Sequence, residues 1–282
     1  MKRRALLHAA LALAALPARA QQDDSIAAAM NDLQVRPERD ISYGPDRRQR
    51  LDAYLPGTPR GPLLLLVHGG GWSGGDKRSG GALAKVRYWT SRGYVVVSTN
   101  HRLLPQAHPL EQARDVARAL AQVQRRASGW GADGSLCVLM GHSSGAHLVA
   151  LLSAEPALAR EQGANPWRCT VCLDNPAFDV PQLMGARHAK LYDRAFGNNP
   201  AYWRTVSPLH VLARDARPVL AVCSTRNAAA CTQAHAFAAR AARARVQVQV
   251  QPEDRGHMDV DRQLGLPGPY SESVDRWISS IL

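Results

Sequence analysis

Leu136-Cys137-Val138-Leu139-Met140-Gly141-His142-Ser143-Ser144-Gly145 decides the fold. The aliphatic run Leu136 to Met140 reads as a buried strand, and a small, helix-forming stretch, Ala146 to Leu152, follows Gly145. Gly141 to Gly145 fits G-x-S-x-G, so the order is strand, sharp turn, helix. A serine on such a turn is held in a strained backbone with its hydroxyl lifted above the sheet. Glycines flank it because side chains there would strike the neighbouring strand and helix. The pentapeptide alone is common by chance, so its setting must carry the reading.

Outward from this turn, further buried strands are predicted at Leu63 to Val67, Tyr94 to Asn100, Thr170 to Leu173, Pro218 to Cys223 and Val246 to Val250. Continuous aliphatic runs of this kind suit strands covered on both faces. Helices fit between them at Ala82 to Arg92, Pro109 to Ser128, Ala228 to Ala244 and Ser271 to Ile281. In the longest, Val116, Leu120 and Val123 share one face. Ile41 to Leu55 alternates around Gly44-Pro45-Asp46 and predicts an early hairpin, with the polar residues up to Arg39 peripheral. The alternation implies an α/β fold: a mostly parallel central sheet with helices on both faces. Ligands of such a sheet gather at the carboxyl ends of its strands. Residues 184–210 hold Tyr192, Phe196, Tyr202 and Trp203 among turn residues. They read either as an insertion walling the site or as a surface helix pair.

Residues 1–20 have the form of a secretory signal: Lys2, Arg3 and Arg4, then apolar Ala5 to Leu16, then Ala18-Arg19-Ala20. That apolar run is too short to anchor a bilayer-spanning helix. The expectation is a secreted or periplasmic protein whose residues 21–282 form one domain. Formal net charge is +12, of which Lys2, Arg3, Arg4 and Arg19 supply four. The remaining arginines are scattered, without the basic-aromatic array of a nucleic-acid surface, and no second apolar span suggests a membrane segment. Of five cysteines, Cys223 and Cys231 are the best-placed pair for a short disulfide loop. Cys169 and Cys172 form C-x-x-C inside a strand rather than at a helix start, so they read as strand residues. Cys137 reads as a small buried hydrophobe.

Two other segments converge on Ser143. His68-Gly69-Gly70-Gly71-Trp72 directly follows a strand. The backbone N–H groups of Gly70 and Gly71, with that of Ser144, are placed to hold a developing oxyanion. His68 reads as a brace for that loop. Gly69, Gly71 and Gly74 also match a dinucleotide fingerprint. That reading needs an acidic residue about 20 positions on, and none occurs between Lys77 and Leu110. In Glu253-Asp254-Arg255-Gly256-His257, the histidine follows the last strand and can reach back over the strand ends as a general base.

These segments together resemble the α/β-hydrolase superfamily, and within it the exported esterases related to hormone-sensitive lipase and to feruloyl esterases. Tyr43-Gly44-Pro45, Leu51-Asp52-Ala53-Tyr54 and Asn100-His101-Arg102-Leu103 match the phrasing of that group, apart from His101, where tyrosine is commoner. The resemblance covers residues 40 to 282. It implies the α/β-hydrolase fold, ester hydrolysis without a cofactor and an oxyanion loop at Gly70 and Gly71.

The chain departs from the family at the triad's acid. The usual position follows the strand at Pro218 to Cys223, where Ser224-Thr225-Arg226-Asn227 offers no carboxylate, and none occurs from Ala216 to Pro252. Asn227 stands nearest that position and can orient an imidazole without neutralising it. Leu173-Asp174-Asn175-Pro176-Ala177 places Asp174 at the carboxyl end of the preceding strand. Pancreatic-type lipases look similar there, so Asp174 is the first candidate. A turn cap is its plain alternative, with Asp179, then Glu253 and Asp254, ranked after it. His142 and His147 lack a third ligand, so no metal is expected. The sequence therefore predicts a serine carboxylesterase acting through Ser143, His257 and Asp174. Two alternatives stand beside it: the same machinery acting on an amide, peptide or polymeric ester, and a hydrolase fold kept as a binding protein.

Overall fold

A computed structural model describes residues 34–282 except Arg60 and Gly80. The predicted signal segment lies outside the described residues. Within them, eight strands form one sheet: β1 (Arg36–Ser42), β2 (Arg50–Leu55), β3 (Gly61–Val67), β4 (Val95–Thr99), β5 (Ala132–His142), β6 (Cys169–Leu173), β7 (Val219–Ser224) and β8 (Val248–Glu253). Their order across the sheet is β1-β2-β4-β3-β5-β6-β7-β8. From β4 to β8 every pairing is parallel, and β2 alone runs against the rest, pairing antiparallel with both β1 and β4.

Strand alternation splits the core into two layers. Leu63, Leu65 and Val67 of β3 face one cluster, and Leu64 and Leu66 face the other, as the two-residue period of a strand requires. The first layer is covered by α2 (Pro109–Arg126), α3 (Ser144–Ala154) and α8 (Ala228–Arg243), the second by α1 (Ala82–Thr90) and α10 (Pro269–Ile281). Val116, Leu120 and Val123 of α2 are fully buried, as their spacing predicts. No described helix is long and apolar enough to cross a membrane.

Several boundaries differ from the sequence reading, and three have a clear physical reading. The edge strand β1 begins at Arg36, inside the stretch taken as peripheral. Its mostly exposed polar residues carry no apolar alternation, as suits an edge strand. It is held by pairing with β2 and by the buried Asp52 carboxylate, which accepts from the Asp40 N–H at 2.8 Å. At the opposite edge, β8 starts two residues late and runs on through Glu253. Lastly, β5 starts at Ala132, four residues before the aliphatic run.

Cys223 at the end of β7 is disulfide-bonded to Cys231 on α8. Cys169 and Cys172 both lie in β6 and point into opposite core layers, so they cannot meet. The segment between β6 and β7 forms α5 (Val180–Gly185), α6 (Lys190–Phe196) and α7 (Pro200–Thr205). Both readings of this segment hold in part. Leu191 and Tyr192 of α6 wall a cleft, whereas α7 buries no residue fully.

Candidate active site

The carboxyl ends of β5 and β6 lie side by side in register, His142 opposite Leu173. The next residues are Ser143 and Asp174, so strand register alone brings them to neighbouring positions. Each turns sharply out of its strand, with φ of 54° at Ser143 and 50° at Asp174. Backbone bonds clamp both turns: Ser143 N–H donates to Leu173 O at 2.9 Å, and Asp174 N–H to Val222 O at 2.8 Å. Left-handed φ at non-glycine residues costs of order 1–3 kcal/mol and clusters at functional sites. The turn at Ser143 also needs Gly145. A Cβ there would lie 2.4 Å from the carbonyl oxygens of both Val67 and His68, so only glycine lets α3 close onto β3.

His257 arrives from the far edge of the sheet as the first residue of α9 (His257–Arg262), just past β8. Its Nε2 lies 3.0 Å from Ser143 Oγ and its Nδ1 2.6 Å from Asp174 Oδ2. The Asp174 side chain is fully buried, and its second oxygen, Oδ1, accepts from Ser224 N–H at 2.8 Å. Ser224 Oγ in turn donates to Arg255 O at 2.5 Å, two residues before His257. Asn227 lines the cleft, but no described residue hydrogen-bonds its side chain. The other carboxylates are engaged elsewhere. Asp179 caps α5 and meets His210, Glu253 pairs with Arg255, and Asp254 pairs with Arg226.

The glycine loop after β3 borders the same cleft. Gly70 has φ of 137°, and a Cβ on it would strike Gly74 O at 2.3 Å. Its carbonyl is turned back to accept from Ser73 and Gly74 N–H groups. Among the described residues, the Gly70 and Gly71 N–H groups have no acceptor. Ser144 is the first residue of α3, so its N–H has no partner within the helix. Trp72 anchors this loop. Its ring is 1% exposed, its Nε1–H donates to His147 Nδ1 at 3.2 Å, and its carbonyl accepts from Leu104 N–H and Gln112 Nε2. That donation fixes Nδ1 of His147 as an acceptor, and Nε2–H donates to Val206 O at 2.7 Å. So Trp72 holds the loop while bordering the cleft, and α6 adds Tyr192 to the same lining. His68 braces the loop as expected, with Nδ1 2.9 Å from Gly69 O and its ring stacked 4.6 Å from that of His101.

The cleft over Ser143 encloses about 630 Å³. Leu191, Tyr192, Pro176 and Met258 give it apolar lining, and the buried ion pair of Lys85 with Asp261 also lines it, N–O 2.7 Å. Among the described residues, no cluster of side chains has the composition of a metal site.

The sequence family described as BD-FAE matches residues 51–169. The solved structure of Esterase B from Lactobacillus Rhamnosis superposes with a TM-score of 0.69 at 21% identity, covering 96% of this chain and 95% of that one. The chain has the α/β-hydrolase fold. A putative thioesterase from a Silicibacter species is structurally similar, with a TM-score of 0.71, 24% identity, and 93% and 91% coverage. Esterase LipQ of Mycobacterium tuberculosis is 30% identical to this chain over 196 residues, which is 64% of this chain and 46% of that protein. A probable isoprenylcysteine alpha-carbonyl methylesterase of Oryza sativa is 32% identical over 127 residues, 44% of this chain and 30% of its own length. The chain thus spans less than half the length of these curated relatives.

Two residues of this candidate site escaped the sequence reading. Ser224 bridges Asp174 and the segment before His257 through its N–H and its hydroxyl. His142 touches His257 directly, its Nε2 lying 3.0 Å from His257 O. Position beside Ser143 was the only sequence signal for His142, and Ser224 had none, because a backbone N–H carries no side-chain signature. Burial pushes the imidazoles of His142, His68 and His147 down to about 4, so at neutral pH His68 and His142 line the cleft uncharged and His147 lies uncharged against Trp72.

Proposed function

We propose that this protein is a serine carboxylesterase. The carrying observation is the hydrogen-bond chain from Ser143 Oγ through His257 to the buried Asp174, beside loop N–H groups that lack acceptors. In this reading Ser143 Oγ attacks the ester carbonyl carbon while its proton passes to His257 Nε2. Asp174 holds Nδ1–H and balances the imidazolium that forms. The carbonyl oxygen becomes an oxyanion against the N–H groups of Gly70, Gly71 and Ser144, where each donor is worth roughly 10²–10³ in rate. Collapse expels the alcohol, which takes the proton from His257, and leaves an acyl group on Ser143. Water, deprotonated by His257, attacks that acyl carbon, and the carboxylic acid departs as Ser143 regains its proton. The named esterases among its relatives support an ester over an amide. The apolar lining of the cleft, Tyr192 included, suits an apolar acyl or alcohol group.

Fluorophosphonate labelling together with p-nitrophenyl butyrate hydrolysis tests this. The wild type is expected to label and turn over, and Ser143→Ala to do neither. A folded wild type that does neither sinks the esterase reading and favours a binding protein. A panel of nitrophenyl, feruloyl and peptide substrates separates ester from amide cleavage. We further propose that residues 1–20 direct export and that residues 21–282 act as one domain. The Cys223–Cys231 disulfide supports an oxidising compartment. Mass spectrometry of the exported protein should find its N-terminus at Gln21.

A further inference from the structure

His142 lies between the two moving parts of the proposed chemistry. It ends β5, is 5% exposed and immediately precedes Ser143. Its Nε2–H donates to the backbone carbonyl of His257 at 3.0 Å, since a carbonyl can only accept. The two imidazole rings lie against each other, centroids 4.7 Å apart and tilted by 39°. The opposite edge of the ring abuts the oxyanion loop: a Cβ on Gly69 would lie 2.9 Å from His142 Nδ1. One side chain therefore touches the base, borders the nucleophile and packs under the loop that faces the oxyanion.

The far end of the helix that carries His257 is fixed separately. Asp261, one turn further along α9, accepts from Lys85 Nζ at 2.7 Å and from Gly81 N–H at 2.9 Å. The start of α9 follows a loop, and its cap residue Gly256 makes no side-chain bond. The His142 donor and ring hold the α9 start at His257 itself. A serine and its base must meet within a few tenths of an ångström, and a displacement of about 1 Å can cost 10²-fold in rate.

We infer that His142 is a positioning residue, whose Nε2–H bond to the His257 carbonyl and ring contact with His257 hold the base at hydrogen-bonding distance from Ser143. This rests on the esterase reading. It assigns His142 no proton transfer and no contact with substrate.

The test compares His142→Phe, which keeps a ring and removes the donor, with His142→Gln, which keeps an N–H donor and removes the ring. Turnover of p-nitrophenyl butyrate and the rate of fluorophosphonate labelling are measured for both, with melting temperatures as a check on folding. His142→Phe should lose about tenfold or more in kcat and in labelling rate, with KM changed less than about twofold. His142→Gln should recover most of the loss. A phenylalanine variant with wild-type kcat overturns the inference, as does one whose KM rises in step with its loss of kcat. If that variant does not fold, His142→Gln decides alone: kcat within about threefold of wild type supports the bond, and a tenfold loss overturns it. A wild type that neither labels nor turns over removes the esterase reading itself, an outcome distinct from these.

Discussion

Ser143 and Asp174 are paired by a constraint that no local propensity supplies. Both are non-glycine residues at φ near +50°, on adjacent strands, one position past a registered pair. Backbone strain at both is offset by the fixed ends of β5, β6 and β7. In the proposed mechanism the acid lies one strand inward from the usual place and still reaches the base, with Asp174 Oδ2 2.6 Å from His257 Nδ1. Asn227 is left at the cleft with no described partner. Asp174→Asn is therefore expected to lower kcat by about 10⁴, since an amide cannot balance the imidazolium. Asn227→Ala should stay within about threefold of wild type, as no intramolecular hydrogen bond to His257 is lost. Steady-state hydrolysis of p-nitrophenyl butyrate by both variants checks this, and near-normal turnover in Asp174→Asn would remove it from the mechanism.

Elements carry the next level of constraint, and the end of β7 is the clearest case. Three tethers meet there: the Ser224 N–H to Asp174, the Ser224 hydroxyl to Arg255 O, and the Cys223–Cys231 disulfide into α8. The disulfide closes a loop with a sequence separation of 8, which on the loop-entropy model stabilises by about 2–3 kcal/mol. Replacing both cysteines by alanine should lower the melting temperature by roughly 5–10 °C for a domain of this size. Scanning calorimetry of that variant, beside reduced and oxidised wild type, checks it, and an unchanged midpoint would contradict the estimate. The long, strongly apolar elements around this region were legible in sequence because burial on both faces leaves one reading of Leu63 to Val67 or Leu136 to Met140. Asp174 was legible as a carboxylate at a strand end, in a chain with none from Ala216 to Pro252. What stayed hidden depends on pairing in space. The exposed edge strand β1 has no apolar pattern, α9 is only six residues long, and the Ser224 and His142 contacts join residues 50 and 115 positions apart.

The whole molecule binds its site to its stability through buried neutral histidines. His142 and His147 are buried at the carboxyl end of the sheet, and burial holds both near a pKa of about 4. His101, stacked on His68, is pushed well down by the same cause. In the unfolded chain these rings take up a proton near pH 6.5. Their pKa is thus lower folded than unfolded, and between the two values the unfolded state binds more protons. By linkage, stability must fall as pH drops from about 6.5 towards 4. His142 and His147 would each account for roughly 3 kcal/mol across that window, together a large part of the 5–15 kcal/mol typical of a domain. The buried carboxylate of Asp261 cannot cause this loss. Its pKa is lowered to about 2 beside Lys85, so its contribution fades only below the ordinary aspartate value. Urea unfolding followed by tryptophan fluorescence at pH 7, 6, 5 and 4.5 checks the sign and size. A stability decline of several kcal/mol, steepening below pH 6.5, is expected. Unfolding free energy that stays level down to pH 4.5 would mean that these histidines are charged in the folded protein.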